Sequence, residues 1–380
     1  MLILTHLCYN SPCEPRGQAS GELCTEVMIS MGVTAVARGA GQVQGGLRPL
    51  NPGRDLGAIA DLIAAAFAQE MDARSRRALQ ELRWMARLSP LVWWWASIDP
   101  SFRDSFNGFV WEEPSPRGRR RQVVGNVSLN QAPGNRRRWI VCNVVVRDDY
   151  RRRGIGRRLT EAAIAEAQAL GAEGVLLQAY QDNLPALRLY TALGFQEVAG
   201  ETEFWLEAVN PVAFLEAPGY QLRPWRPADG QAAYDLARLV VPTPLQWFRP
   251  LRAGEYRPGW WARLFEALAD LMAGQRVYRL SVLKEDRLVA MMTLAVAFRQ
   301  GEHQLALLVH PDHTGQVEAA LVSRALHLLA ALPPRPVRAV VDKEHTATIR
   351  VLREYGFREQ RTLLTLRRDF TEQDRLSEPA

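Results

Sequence analysis

The chain has 380 residues, 47% hydrophobic and 23% charged, with a net charge of +6. That length suits two domains better than one, and the composition is ordinary for a soluble globular protein. No apolar run is long enough for a membrane span, no basic segment precedes the short apolar start as in a secretory signal, and four cysteines are too few for a disulfide scaffold. A reduced cytoplasmic setting fits, and the mildly basic charge permits an anionic ligand without requiring nucleic acid.

Residues 1–44 are rich in Gly, Pro and small polar residues ("SPCEPRGQASGEL", "RGAGQVQGG") and read as a disordered extension. Cys8, Cys13, Cys24 and His6 lie there without the paired spacing of a zinc site, so no metal is expected. "LRPLNPGRDLGAIADLIAAAF" reads as a short strand, a turn and an amphipathic helix reaching Phe67. A Trp-rich helical region follows, including "LVWWWASIDP". Trp93, Trp94 and Trp95 cannot all face one side of a helix, so they either pack a core or wall a pocket.

Three strand-like runs come next: "GFVWEEP", "RQVVGNVSLNQ" and "WIVCNVVV", separated by basic turns. Beyond "DDYRRRGIGRRL" the pattern becomes helical. Leu159, Ala163, Ala167 and Leu170 share one face, and Gly171 supplies the stop. "GVLLQAY" is a strand, "NLPALRLYTALGF" a helix capped by Asn183, and "TEFWLEAV" a closing strand.

After "NPVAFLEAPGY" the order repeats. "YQLRPWRPADGQAAYDLARLV" echoes the opening at Leu47, and "REYGFRE" echoes "TALGFQE". Gly356 follows Gly194 by 162 residues, and His310 follows Arg147 by 163. Two motifs at nearly one offset argue for internal duplication. The expected organisation is a first domain over 45–210, a linker over 211–219, a second domain over 220–370 and a flexible tail over 371–380.

The glycines between a strand and a helix make an anion site. The first helical N–H groups have no intrahelical partner, the helix dipole adds positive charge, and glycine lets the backbone approach a ligand. A Rossmann loop would need glycine at Leu159, and a Walker loop would need Gly-Lys-Ser/Thr. What remains is R-x-x-G-x-G, Arg151 to Gly156, followed by N-x-x-A-x-x-x-Y-x-x-x-G-F at Asn183, Ala186, Tyr190, Gly194 and Phe195. In this order the motifs resemble the GCN5-related N-acetyltransferase (GNAT) superfamily.

The resemblance implies an α/β fold of the α+β type. It would hold two tandem GNAT domains, each a mixed, mostly antiparallel sheet flanked by helices. It also implies direct acetyl transfer from acetyl-CoA to an amine acceptor. By resemblance, the amides of Arg152, Arg153, Gly154, Ile155, Gly156 and Arg157 cradle the pyrophosphate, and the arginines, Arg151 among them, add phosphate contacts. The Val144, Val145 and Val146 backbone pairs with the pantetheine arm. Tyr190 matches the general acid that protonates the leaving thiolate; on an amphipathic helix it is otherwise a core aromatic. Asn183 either reaches the pantetheine arm or only caps its helix. The base stays open among Glu112, Glu113, Glu203 and a water chain, because the strand before the loop offers Cys142 and Asn143 instead of a carboxylate. Cys142 reads as a small buried residue. No nucleic-acid or membrane partner is implied, and a non-catalytic acyl-CoA-binding protein is the rival.

The second repeat departs from the motif. It reads "HPDHTGQVEAAL", placing Val317, Glu318 and Ala319 where Gly154, Ile155 and Gly156 stand, with His345 for Asn183 and Leu352 for Tyr190. Glu318 is expected to repel a phosphate, leaving a degenerate copy.

Overall fold

The computed structural model describes residues 46–66, 107–114, 121–257 apart from 134 and 136, and 274–371 apart from 300, with scattered positions over 79–87 and 259–272. The expected extension over 1–44, Trp93 to Trp95, and all but the first residue of the expected tail lie outside these.

The described strands form one twelve-stranded sheet. The first half contributes β1 (Gly46–Pro49), β2 (Gly108–Pro114), β3 (Arg121–Gln131), β4 (Arg138–Val146), β5 (Gly174–Tyr180) and β6 (Gln196–Leu206). The second contributes β7 (Gln221–Pro224), β8 (Gln275–Lys284), β9 (Arg287–Ala297), β10 (His303–Val309), β11 (Val337–Asp342) and β12 (Arg358–Asp369). Two parallel pairs, β4–β5 and β10–β11, interrupt an otherwise antiparallel sheet. The mixed α/β class is the expected one.

The spatial order is β1-β2-β3-β4-β5-β12-β6-β11-β10-β9-β8-β7. β6 was expected to close the first half's own sheet. Instead the last strand of each half crosses over: β12 pairs with β5, and β6 pairs with β11. The registers obey the repeat. Leu363 faces Tyr180 and Asp342 faces Glu201, so each member of the first pair is 162 residues from its counterpart in the second. Between β6 and β12, Glu201 faces Leu363, a pair that the same offset maps onto itself. A pseudo-twofold axis therefore passes between Glu201 and Leu363. Residues 45–210 and 220–370 share one continuous sheet and exchange strands across it.

Helices cover both faces. α1 (Pro52–Ala66) buries Leu56, Ile59 and Ile63 in one cluster with Val110 and Val145. On the opposite face α2 (Ile155–Ala169) buries Leu159, Ala163 and Ala167 over β3–β5, close to α3 (Leu184–Ala192). Leu170, expected on that apolar face, is exposed, because the helix ends there and Gly171 turns away at φ 73°. The second half repeats this with α4 (Gly230–Val240), α6 (Glu318–Ala330) and α7 (Thr346–Glu354). Between them in sequence, the single turn α5 (Leu245–Phe248) reaches across: Trp247 and Phe248 bury themselves with Ile140 and Leu176 of the first half.

Each half opens with the same fork. Arg48 on β1 grips Asp55 in the first turn of α1 through two hydrogen bonds of 2.7 Å. Arg223 on β7 grips Asp229, just before α4, at 2.8 and 2.7 Å. Bidentate pairing of this kind fixes the angle between strand and helix as well as their contact.

Candidate functional site

The site begins where two parallel strands part. The β4–β5 ladder runs only from Arg138/Gly174 to Ile140/Leu176. β4 continues along β3 to Val146, while β5 continues along β12 to Tyr180. The strands thus open a wedge toward their C-terminal ends, where α2 begins.

A bulge shapes β4 at the wedge. Asn126 faces Val145 and Ser128 faces Cys142, so Val127 stands against two residues, Asn143 and Val144. Asn143 takes the left-handed φ of 52° that this requires, a conformation asparagine tolerates better than most residues. Gly125 on β3 has a second role. A Cβ there would lie 2.9 Å from Leu159 Cδ1 and 3.1 Å from Ile155 Cγ2, so only glycine lets the start of α2 sit this close. Sequence reading missed it, although a lone glycine in "VVGNV" is a signal of close approach.

The loop from β4 to α2 turns through a short 3₁₀ segment, Asp148–Tyr150, then through Arg152 at φ 61° and Gly154 at φ 76°. Gly154 is the helix N-cap and no side chain caps it, so the first-turn amides of Ile155, Gly156 and Arg157 face outward. At Gly156 a Cβ would make only ordinary contacts, 3.7 Å from Leu189 and from Val146. The fold would accept alanine there, so the packing itself does not demand glycine.

The arginines are less free than the sequence suggested. Arg151 donates to the Val146 carbonyl at 3.1 Å and pairs with Asp148 at 2.7 Å. Arg153 lies over the Tyr150 ring at 4.7 Å and donates to the Asp149 carbonyl, while Arg157 pairs with Glu161 at 2.8 Å. Arg152 stays exposed on the loop.

Tyr190 on α3 is 6% exposed and shares a buried cluster with Leu177 and Ala179 of β5, its ring edge-on to Phe195. Burial pushes its phenol up to about 12. It therefore carries its proton throughout neutral pH, though as a weaker acid than an exposed phenol. Asn183 is exposed and caps α3, accepting from the Ala186 amide at 3.3 Å. Arg368 of β12 secures the other end of α3 through the Leu193 carbonyl at 2.8 Å.

Residues 68–195, which span this wedge and loop, match the Acetyltransferase (GNAT) family. Over these residues the chain matches a GNAT domain. It is 39% identical over 75 residues to an N-alpha-acetyltransferase of Sulfurisphaera tokodaii, covering 20% of this chain and 45% of that protein. It is 30% identical over 154 residues to a mycothiol acetyltransferase of Pseudarthrobacter chlorophenolicus, covering 39% and 42%. The chain thus spans less than half the length of these curated relatives. A tandem GNAT protein from the clavulanic acid biosynthesis pathway, 19% identical, shares the fold over 86% of this chain and 98% of its own, with a TM-score of 0.51.

Two of the three carboxylates considered as base in the first half are tied up. Glu112 is 2% exposed and ringed by Arg48, Arg54 and Arg121. Its hydrogen bond from Arg48 outweighs burial and holds its carboxyl below the usual range. Glu203 is buried between Arg338 and Arg361 and accepts from Trp205 Nε1 at 2.9 Å. Burial raises it, but the two guanidiniums prevail and its carboxyl also titrates low. Both are poor proton acceptors near neutrality. Glu113 accepts from Trp111 Nε1 at 2.8 Å at the far end of β2. Cys142 is half-buried against Ile140 and Leu176. Among the described residues no cluster of His, Cys, Asp and Glu could hold a metal ion, and no helix is long and apolar enough to cross a membrane.

The corresponding loop of the second half follows the same path at first. A 3₁₀ segment, Pro311–His313, stands where Asp148–Tyr150 does, and Gly315 at φ 84° stands where Arg152 does. Then it closes. The Glu318 carboxylate, fully buried, accepts from the Gly315 amide at 2.8 Å with both oxygens and from the Val317 amide at 3.2 Å. The expected repulsion of phosphate understates the arrangement: Glu318 is itself the anion on this loop.

Proposed function

We propose that the chain is an acetyl-CoA-dependent N-acetyltransferase acting on an amine acceptor in the cytoplasm, with its chemistry in the first half alone. The observation that carries this is the contrast between the uncapped amides beside the β4–β5 wedge and the Glu318-filled amides of the second half. The residues present fit the cosubstrate: a Gly154 turn at φ 76°, a Gly156 whose Cβ position is clear of backbone, and an exposed Arg152.

Acetyl-CoA supplies the activated acetyl group and a thiol as leaving group. The amides of Arg152 to Arg157 hold its pyrophosphate. Arg151 and Arg153 work mainly by bracing the loop, since both already bond to it. The bulged Val144–Val146 backbone pairs with the pantetheine arm and orients the thioester carbonyl. Tyr190 keeps a proton beside the wedge and delivers it to the departing sulfur; Asn183 sets the start of its helix. With Glu112 and Glu203 held as ion pairs, the amine loses its proton to water. The second half contributes β12, which holds β5 away from β4, and Trp247 and Phe248, which pack behind β4 and β5.

An acceptor panel of small amines, aminoglycosides, polyamines and peptide N-termini, monitored by free-thiol release, tests the reading. Steady release with at least one amine is the expected result. Tight acetyl-CoA binding without release from any of them would favour a binding protein instead.

A further inference from the structure

Along β3 three uncharged polar side chains alternate with apolar ones and are nonetheless buried: Asn126 at 0%, Ser128 at 2% and Asn130 at 6% exposure. Polar groups removed from water are costly unless bonded, so such a stripe needs a reason. Part of it is the bulge. Asn126 Nδ2 donates to the Asn143 carbonyl at 3.0 Å, and Asn143 Nδ2 reaches Ser128 Oγ at 3.5 Å. The left-handed turn at Asn143 swings its carbonyl out of the ladder, and Asn126 catches it.

That bond fixes which way the carboxamide points. The Asn143 carbonyl only accepts, so the NH₂ end must face it. The Asn126 Oδ1 is then the other end of the same group, and among the described residues this buried oxygen has no hydrogen-bond partner. Holding the bulge uses only the NH₂ end, which leaves the buried oxygen without a role in that bond. We infer that Asn126 docks the amine acceptor: Nδ2 stays anchored on the bulge while Oδ1 takes an N–H of the incoming amine, beside the backbone that orients the thioester. The role rests on the acetyltransferase reading above and adds a residue to it. The chemistry suits a carboxamide. A carboxylate in that position would stabilise the ammonium form and work against the neutral nucleophile, whereas a neutral carbonyl oxygen holds an N–H without that bias.

The test uses the full chain with an amine on which the wild type turns over. Acetyl-CoA affinity is measured by calorimetry and acceptor kinetics as a function of pH. Asn126→Ala is expected to bind acetyl-CoA within about threefold of wild type while kcat/KM for the amine falls about 10- to 100-fold, the range for losing one buried partner. If the alanine variant does not fold, the isosteric Asn126→Asp carries the test. It keeps an oxygen toward the amine but replaces the NH₂ end with a carboxyl that must carry a proton to bond the Asn143 carbonyl and that, on ionising, holds the amine as ammonium, so the alkaline rise of kcat/KM should move to higher pH while acetyl-CoA affinity holds. Unchanged amine kinetics in both variants, or an Asn126→Asp profile that only scales down without shifting, overturns the docking role and leaves the acetyltransferase reading intact. A wild type that acetylates no amine overturns that reading, and this role with it.

Discussion

Between Arg147 and Arg158 the chain turns from strand to helix through two left-handed residues and leaves the first-turn amides without a cap. Between His310 and Leu321 it makes the same approach, through a 3₁₀ segment and one left-handed glycine, and then places a buried carboxylate on the amides. The difference is one of supply. Orphan amides at a helix start need an acceptor. In the proposed reading the first loop draws it from acetyl-CoA; the second takes it from the residue that opens its own helix. A loop without an external anion must satisfy these amides from within, and Glu318 does so with one side chain.

The comparison breaks most sharply at Gly156. Acetyl-CoA should bind with one site per chain, and Gly156→Glu should push binding beyond the millimolar range, since several phosphate contacts would meet a carboxylate. Gly156→Ala should fold normally, because its Cβ meets Leu189 and Val146 at ordinary distances. Two equivalent sites by calorimetric titration would show that Glu318 is displaced in the second half and that the contrast is not functional.

Tyr190 comes next. Its counterpart by the repeat is Leu352, buried at 1% exposure, so the core position survives in both halves and only the hydroxyl is confined to the first. Tyr190→Phe preserves the packing against Phe195. It should lower the maximal rate about 10²–10⁴-fold while acetyl-CoA affinity barely moves. An undiminished rate, with the chemical step shown to be limiting, would make Tyr190 a core aromatic like Leu352.

How far these contrasts could be read beforehand depended on whether the deciding partner was near in sequence. The Gly154–Gly156 loop was legible because backbone, glycine and helix start are contiguous. The repeat was legible too, at the same 162-residue offset that relates Tyr180–Leu363 to Asp342–Glu201. The strand exchange was not. β6 and β12 occupy equivalent places in the repeat, so swapped and unswapped sheets satisfy the same local patterns. The carboxylates misled for a related reason. Glu112 meets Arg48 64 residues earlier, and Glu203 meets Arg361 158 residues later, so their neutralisation is visible only in the folded chain. Glu318 reads in the sequence as a charge in the wrong place; that its side chain folds back onto Gly315 is visible only in the folded chain.

A third, smaller effect isolates the internal anion. Glu318→Ala strips the Gly315 and Val317 amides of their acceptor while leaving the first loop untouched. Leaving buried donors unsatisfied typically costs about 1–3 kcal/mol, so the melting temperature should drop by several degrees with acetyl-CoA stoichiometry still one. Inorganic phosphate at tens of millimolar should recover part of the loss by binding the vacated amides. No change in melting temperature would mean the carboxylate fills the loop without stabilising it.

The smallest expected effect separates the two forks. In the first half Arg48 is shared between Asp55 and Glu112. In the second, Arg223 also donates to the Pro224 carbonyl at 3.1 Å but meets no carboxylate besides Asp229 among the described residues, and Asp229 also accepts from the Arg226 amide at 2.9 Å and from Ser281 at 2.8 Å. The Arg223 bond, against an opposing effect of burial, holds the Asp229 carboxyl at about 2. An unfolded aspartate titrates near about 3.9. Because the folded value is the lower one, the unfolded chain takes up the proton first. The contribution is full above about pH 4, declines as pH falls toward 2, and is gone below both values. Melting temperatures from pH 7 to 2 should therefore bend downward below about pH 4. Asp229→Asn should start lower at neutral pH and show a shallower acid decline, since it has no proton to gain. If wild type and variant fall in parallel, the acid sensitivity lies elsewhere, with the ion pairs of Glu112 and Glu203 the next to substitute.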